Sequence, residues 1–161
     1  MDTVFVILRA LVYGSAFAFA IGWIALQSRA LDPQLGGLLP PWTQLPSVVL
    51  MTTGAALMLA CVGTFAIRGR GTPAIFDPPR EFVAVGPYRW IRNPMLIGFF
   101  ILLLGFGLFH RSPAILLLMA VFAVAFHLFV MFYEEPGLKR RFGPSYERYL
   151  ESTPRWIPRV R

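Results

Sequence analysis

The residues best suited to chemistry are concentrated in a few short segments. One segment carries Tyr88, Arg92 and Asn93, and another carries the adjacent acids Glu134 and Glu135. The C-terminal tail adds aromatic and basic side chains, namely Tyr146, Tyr149 and Arg155. Guanidinium and carboxylate groups make strong, charge-assisted hydrogen bonds to ionic ligands. We therefore expect these segments to form one site for such a ligand.

The acidic pair stands where a helix is expected to end. Pro136 follows Glu134 and Glu135, and a proline inside a helix removes a hydrogen bond and clashes with the preceding turn. A helix C-terminus carries partial negative charge, which makes an acid there unfavourable by about 0.3–1 kcal/mol. The pair therefore indicates either a functional site or ion pairs with arginines of the 68–92 loop or the tail.

Other residues have both a structural and a functional interpretation. Asn93 before Pro94 is typical of a helix cap followed by a proline in the first turn, and the pair also fits a binding site. His127 lies seven residues before Glu134, on the same face of a helix. An ionisable residue inside a membrane often has a function, but a neutral histidine that bonds to a neighbouring helix is the favoured interpretation. Cys61 is interpreted as a small core residue.

Composition limits the classes of site and of partner. One cysteine excludes a disulfide framework and a cysteine-based zinc site, and two distant histidines leave few ligands for another metal. Fifteen basic and eight acidic residues give a net charge of +7. Because the basic residues lie between apolar runs, we expect a membrane surface and its lipids as partners, with no nucleic acid and no metal.

The elements that must position these residues are membrane helices. Hydrophobic residues make up 57% of the 161 residues, and the 14% that are charged are too few to cover a soluble globule. Four stretches without Asp, Glu, Lys or Arg are long and apolar on all sides, as membrane helices are. They predict an all-α integral membrane protein with a single transmembrane domain over residues 1–161. The predicted spans lie at about 8–28, 47–67, 93–109 and 113–133, and the third is the shortest.

The turns and the tail are also predicted. The third and fourth spans form a tight hairpin that turns around His110-Arg111, and Ser112-Pro113 opens the fourth span in the same way as Asn93-Pro94 opens the third. Aromatic and apolar residues of the tail fall at near-helical spacing, namely Phe142, Tyr146, Tyr149 and Leu150. This spacing predicts a short helix that lies at the membrane interface.

Orientation follows from the distribution of basic residues. The 68–92 loop and the tail from residue 134 are rich in arginine, whereas the 28–46 loop carries only Arg29 and Asp32 and is otherwise bland. The positive-inside rule places the basic loop, the tail and both termini in the cytoplasm, as in a bacterial inner membrane. Asp2 and Arg9 favour a retained first span over a cleaved signal peptide. The candidate site therefore faces the cytosol.

Short motifs on both sides of the hairpin resemble those of a known family. Before the third span stand Gly71-Thr72-Pro73-Ala74, Asp77-Pro78-Pro79-Arg80, Gly86-Pro87-Tyr88 and Arg92-Asn93-Pro94-Met95. After the fourth span stand Glu134-Glu135-Pro136-Gly137-Leu138, Phe142-Gly143, Tyr146-Glu147-Arg148-Tyr149 and Arg155-Trp156-Ile157-Pro158. In order and spacing, these motifs resemble the isoprenylcysteine carboxyl methyltransferase family and its bacterial relatives, which are similar to phospholipid N-methyltransferases. The resemblance covers about residues 63–158.

The resemblance implies a methyltransferase that binds S-adenosylmethionine on the cytosolic side, between the hairpin and the tail, and that methylates a lipophilic acceptor. By position, catalytic roles fall to Arg92, Asn93 and Glu134. The implied cofactor-binding residues are Tyr88, Asn93, Pro94, Gly98, Glu134, Glu135, Tyr146, Tyr149 and Arg155. Leu96 stands where many relatives have a tyrosine, so a role of that hydroxyl does not carry over. The resemblance leaves open whether the acceptor is a prenylated carboxylate, an isoprenoid thiol or a lipid amine.

Two other functions stay open. Membrane sterol and lipid reductases have a similar hairpin and an Arg-x-Pro element, but their cofactor NADPH is a polyanion, which two adjacent glutamates disfavour. The other alternative is a non-catalytic membrane subunit whose polar groups only pair with one another. Binding of S-adenosylhomocysteine, and not of NADPH, distinguishes the methyltransferase from both.

Overall fold

Helices make up nearly all of the structure, a computed structural model that describes residues 3–69 and 83–158. Within these ranges the chain forms no β-strand, which confirms the predicted all-α class. The motifs predicted at 71–74 and 77–80, most of the basic 68–92 loop and the last three residues lie outside the described residues.

The predicted spans correspond to the first four α-helices of the described residues. The helices are α1 (Thr3–Ser28), α2 (Ser47–Thr64), α3 (Pro94–Phe109), α4 (Pro113–Phe129), α5 (Glu135–Phe142) and α6 (Pro144–Ser152). Short 3₁₀ turns occur at Arg29–Leu35, Pro41–Gln44 and Gly86–Arg89, and π-helical turns at Phe65–Gly69 and Val130–Glu134.

Among the described residues, three helical stretches are long and apolar enough to cross a membrane, namely Leu8–Leu35, Pro41–Ile67 and Pro113–Phe142. The helix α3 is apolar but has only 16 residues, which gives a rise of about 24 Å against a hydrocarbon core of about 30 Å. Large apolar side chains such as Phe19, Leu59 and Val124 are exposed, as expected for helices that face lipid. The chain is thus an all-α integral membrane protein, in which α3 is the shortest of α1 to α4 and its role as a membrane span stays a prediction.

The helix α3 packs against α2 in antiparallel orientation, at glycines on both helices. A Cβ atom on Gly54 of α2 would lie 2.6 Å from the carbonyl oxygen of Gly98 and from the amide nitrogen of Leu102. A Cβ atom on Gly105 would lie 2.8 Å from the carbonyl oxygen of Ser47. Small residues let the two backbones approach, which stabilises helix pairs in a membrane, where no hydrophobic force joins them.

We expect Gly54→Ala to lower the free energy of unfolding by about 1–3 kcal/mol, because the added methyl group meets backbone atoms that cannot rotate away. Gly63→Ala in the same helix is the matched control, since a Cβ atom there has nothing within 4 Å. Thermal unfolding of the two purified variants in detergent measures the difference. Equal melting temperatures would show that α2 and α3 do not pack this closely.

The hairpin between α3 and α4 turns at His110-Arg111, as predicted. Arg111 has a φ of 55°, and its Nε donates a hydrogen bond to the Leu39 carbonyl at 2.6 Å. Ser112 caps α4, because its side chain accepts a hydrogen bond from the Ile115 amide at 3.2 Å. The turn is therefore bonded both to its own helix and to the loop after α1.

The loop after α1 makes specific polar contacts, although its composition predicted none of importance. Asp32 is buried and accepts hydrogen bonds from Ser112 Oγ at 2.7 Å and from the Ala114 amide at 3.0 Å. Arg29 lies 3.9 Å from the same carboxylate. An acid at a helix N-terminus is favoured by the helix dipole, so Asp32 fixes this loop to the start of α4.

The helix of the fourth span does not end before Pro136, and this prediction is wrong. The chain continues from α4 through the π-helical turn Val130–Glu134 into α5, so that Pro113–Phe142 is one helical stretch. A proline is tolerated in the first turn of a helix, and the wide π turn before it relaxes the usual hydrogen-bond pattern. Glu134 and Glu135 therefore lie within a helix, and the expected unfavourable interaction with a helix C-terminus does not apply.

The tail forms the predicted short helix, α6. Gly143 separates α5 from α6 with a φ of 52°, a conformation that glycine adopts without strain. Tyr146 and Tyr149 point inward and are 2% and 8% exposed. The tail therefore packs its aromatic face against the rest of the protein.

Candidate functional site

The segment before α3 brings the first candidate residues into the interior. The turn Gly86–Arg89 buries Tyr88, which packs with the buried Cys61 of α2. Asn93 stands at the N-cap position of α3, as predicted, but its side chain makes no capping hydrogen bond. Its Nδ2 donates instead to the Arg155 carbonyl at 3.4 Å. Asn93 thus joins the start of α3 to the tail.

Glu135 joins two arginines from distant parts of the chain. Its Oε1 accepts hydrogen bonds from Arg92 Nη1 and from Arg155 Nε, each at 2.8 Å, and its Oε2 accepts one from Arg155 Nη2 at 2.8 Å. The side chains of Arg92 and Glu135 are 13% and 14% exposed. The hydrogen bond to Glu135 is the main cause that raises the pKa of Arg155. We call Arg92, Glu135 and Arg155 the clasp.

Glu134 lies next to the clasp and has a different environment. It is partly buried, and within residues 3–69 and 83–158 no hydrogen bond or ion pair engages its carboxylate. Burial raises the pKa of the Tyr88 hydroxyl well above its usual value, and the negative charge of Glu134 adds to this shift. The charge of Glu134 thus acts on Tyr88, as expected of two residues in one site.

Residues of the tail cross over the start of α3. The Tyr149 hydroxyl donates a hydrogen bond to the Tyr88 carbonyl, and the Arg92 amide donates one to the Pro154 carbonyl at 2.9 Å. Together with the clasp, these bonds hold the tail on the hairpin. The structure therefore brings the three groups of predicted site residues together.

His127 of α4 has a partner that the sequence did not reveal. Its Nδ1 accepts a hydrogen bond from Trp156 Nε1 at 3.1 Å, so this ring nitrogen is unprotonated. His127 thus has a hydrogen-bond partner, as expected of a structural histidine, but not the predicted partner in a neighbouring helix. The partner is in the tail rather than in a neighbouring span, and no periodicity of the sequence places Trp156 there.

The buried tyrosines stay protonated at neutral pH. Burial raises the pKa of Tyr146 to about 12, with a further contribution from the charge of Glu135. Burial also raises the pKa of Tyr149, beyond that of an unperturbed tyrosine at about 10. Their hydroxyls, like that of Tyr88, can form hydrogen bonds but do not act as bases.

Pro94 and Gly98 have structural explanations. Pro94 is the first residue of α3 and is fully buried. A Cβ atom on Gly98 would lie 3.0 Å from the Gly54 carbonyl oxygen and from the side chain of Met58, so helix packing accounts for this glycine. Contact of either residue with a ligand stays a prediction.

The arrangement offers charges and hydrogen bonds rather than metal ligands. In the described parts of the chain, no three His, Cys, Asp or Glu side chains come together in a way that could hold a metal ion. Arg92 and Arg155 suit a carboxylate, and Glu134 suits a cation or a hydroxyl. With the two glutamates balancing the two arginines, the site fits a small ligand of mixed charge better than a polyanion.

Comparisons with known proteins agree with a membrane enzyme. The family model described as phospholipid methyltransferase matches residues 42–145, more than half of the chain. The nickel-cobalt-cadmium resistance protein NccN of Alcaligenes xylosoxydans xylosoxydans is 33% identical over 120 residues, which are 71% of this chain and 52% of that protein. The chain thus spans about half the length of this curated relative. No solved structure matches the chain. The match to the family model confirms the resemblance seen in the motifs, and the chain belongs to the phospholipid methyltransferase family of membrane proteins.

Proposed function

We propose that this protein transfers a methyl group from S-adenosylmethionine to a lipophilic acceptor at the cytosolic face of the membrane. The observation that carries the proposal is the set of two arginines and two glutamates that the tail and the hairpin form together. S-adenosylmethionine supplies a methyl group on a sulfonium, and it also carries an ammonium, a carboxylate and ribose hydroxyls. A site with balanced charges suits such a molecule, and membership of a methyltransferase family supports the assignment.

The residues present fit this cofactor. Arg92 Nε is buried and has no hydrogen-bond partner among the described residues. A buried donor without a partner costs about 1–3 kcal/mol, so this atom is suited to an acceptor such as the carboxylate of the cofactor. Glu134, which no described residue engages, is suited to the ammonium, the sulfonium or a ribose hydroxyl.

The other residues of the proposed site align the reactants and exclude water. Methyl transfer is a single in-line displacement, which requires close alignment and a dry site and needs neither a metal nor a covalent protein intermediate. Asn93 fixes the tail at the start of α3, and Tyr146 and Tyr149 cover the site from the aqueous side. Pro94 and Gly98 are the remaining proposed cofactor contacts, by resemblance to the family alone.

We propose a prenylated carboxylate or thiol as the acceptor. A carboxylate is already ionised at neutral pH, so its methylation needs no base and does not depend on the tyrosines, which stay protonated, whereas a thiol must first lose its proton. A lipophilic acceptor also explains why the site is built on helices that fit a membrane. A lipid amine, whose methylation needs a free amine, is the alternative acceptor.

The proposed location is a bacterial inner membrane with both termini in the cytoplasm. The excess of arginine and lysine in the tail and in the 68–92 loop supports this orientation. A reporter fused to the C-terminus should then be active in the cytoplasm, and periplasmic activity of that fusion would contradict the orientation.

A thermal-shift titration of the detergent-purified protein tests the function. We expect S-adenosylhomocysteine to raise the melting temperature in a concentration-dependent manner, since a ligand that binds only the folded state stabilises it. NADPH should have no such effect, because Glu134 and Glu135 oppose a polyanion. Stabilisation by NADPH alone would favour a membrane reductase, and the absence of any shift would favour a non-catalytic subunit.

A further inference from the structure

We propose that Glu135 is a positioning residue, which holds the tail on the start of α3, and that Glu134 alone of the acidic pair binds the cofactor. The inference rests on the proposed function, because it assigns different roles to two residues that the family resemblance places together among the cofactor contacts. It concerns the clasp, whose three members come from the segment before α3, from α5 and from the segment after α6.

The carboxylate of Glu135 is almost saturated with donors. It accepts three hydrogen bonds of 2.8 Å, two of them in the bidentate arrangement that arginine and carboxylate prefer. A carboxylate offers about four acceptor positions. A cationic group of the cofactor would therefore have to displace a guanidinium, and it would approach two positive charges in order to do so.

The clasp lies where the tail meets α3 by other bonds as well. The Arg155 carbonyl accepts a hydrogen bond from Asn93, and the neighbouring Pro154 carbonyl accepts one from the Arg92 amide. These two bonds to backbone carbonyls fix the path of the chain at residues 154 and 155, but they do not orient the two guanidinium groups. Glu135 adds the orientation of both guanidinium groups, and it leaves the buried Arg92 Nε for a ligand.

Glu134 differs from Glu135 in its contacts, and this difference makes the two proposed roles testable. It precedes Glu135 directly in the chain, yet no hydrogen bond or ion pair in the described ranges engages it. Loss of Glu135 leaves two arginines without their counter-charge, which is costly for partly buried groups. Loss of the Glu134 charge leaves the contacts of the tail as they are.

Limited proteolysis of the detergent-purified full-length protein, without cofactor, tests the clasp. Trypsin can cleave after Arg148, which is exposed on α6, once the tail opens. We expect Glu135→Gln and Arg155→Gln each to increase the rate of this cleavage about tenfold or more, because each loses charged hydrogen bonds. The double variant should be cleaved no faster than the faster single variant, since both changes break the same contact. Glu134→Gln should be cleaved at the wild-type rate.

Binding of S-adenosylhomocysteine to the same variants completes the test. We expect Glu134→Gln to weaken binding without faster cleavage, and Glu135→Gln and Arg155→Gln to change binding and cleavage together, again without an additive effect. If Glu135→Gln weakens binding while cleavage stays at the wild-type rate, Glu135 is a ligand and the proposal is overturned. If Glu135→Gln does not fold, Arg155→Gln takes its place, because it breaks the same contact from the other side. Faster cleavage of Arg155→Gln then supports the proposal, and cleavage at the wild-type rate overturns it. If the wild type binds no S-adenosylhomocysteine, the proposed function fails, whereas cleavage still reports on the clasp.

Discussion

A chain that ends at Gly143 should bind no S-adenosylhomocysteine, although it still inserts into the membrane. The truncation removes α6 and Arg155, and with them the bond of Tyr149 to the Tyr88 carbonyl and the two bonds of Arg155 to Glu135. The truncation also removes three proposed cofactor contacts, Tyr146, Tyr149 and Arg155, and since a hydrogen bond to a charged group is worth about 1.5–3 kcal/mol, the loss of two or more lowers the affinity at least about a hundredfold, below detection. Isothermal titration of the purified protein measures the affinity, and the membrane fraction of expressing cells shows insertion.

The control for the truncation is a full-length variant that breaks an exposed contact of α6. Lys139 Nζ and Glu147 Oε1 lie 2.9 Å apart, and their side chains are 58% and 47% exposed. Exposed ion pairs contribute little, so Glu147→Gln should bind S-adenosylhomocysteine as the wild type does. Retained binding by the truncated chain would mean that the tail does not cover the cofactor.

Glu134→Gln should weaken the binding of S-adenosylmethionine and S-adenosylhomocysteine about tenfold or more. The change removes a negative charge and keeps the size of the side chain, and a hydrogen bond to a charged group is worth about 1.5–3 kcal/mol. Because no described residue depends on this carboxylate, the melting temperature without ligand should hardly change. Thermal unfolding and titration of one preparation give both values.

Glu151→Gln is the matched control for Glu134→Gln, since Glu151 is exposed on α6. It changes the net charge of the protein by the same amount, and we expect its affinity to equal that of the wild type. Normal cofactor binding by Glu134→Gln would remove Glu134 from the proposed site. Equal weakening by both variants would show that only the overall charge matters.

The helices could be predicted because a long run of apolar residues without charges favours a membrane helix whatever the rest of the chain does. The charge-free stretches predicted the helices α1 to α4, and Ser112 before Pro113 predicted the cap of α4, whose hydrogen bond the structure contains. The same reasoning failed at Pro136, because proline can end a helix or open one. A π turn over Val130–Glu134 decides between these outcomes, and its formation depends on packing that a local pattern does not contain.

The members of the candidate site could be predicted, but not their pairing. Arg92, Glu135 and Arg155 were all candidates from residue type and motif, and the structure brings them together. Which of two adjacent acids meets the arginines depends on the rotation of the helix about its axis, and one residue corresponds to about 100° of rotation. The bond between His127 and Trp156 depends on the path of the tail, which no periodicity encodes.

The π turn at Val130–Glu134 changes the direction in which side chains point along one continuous helix. It adds a residue to a turn, so α5 is rotated by about 100° relative to the direction in which an unbroken α-helix would continue. Before the turn, α4 exposes Val121, Val124 and Leu128 on a face that suits contact with the hydrocarbon chains. After the turn, α5 presents a different face, and Glu135 points toward Arg92 and Arg155. The extra residue of the π turn thus lets one helix face lipid in its first part and form ion pairs in its second part.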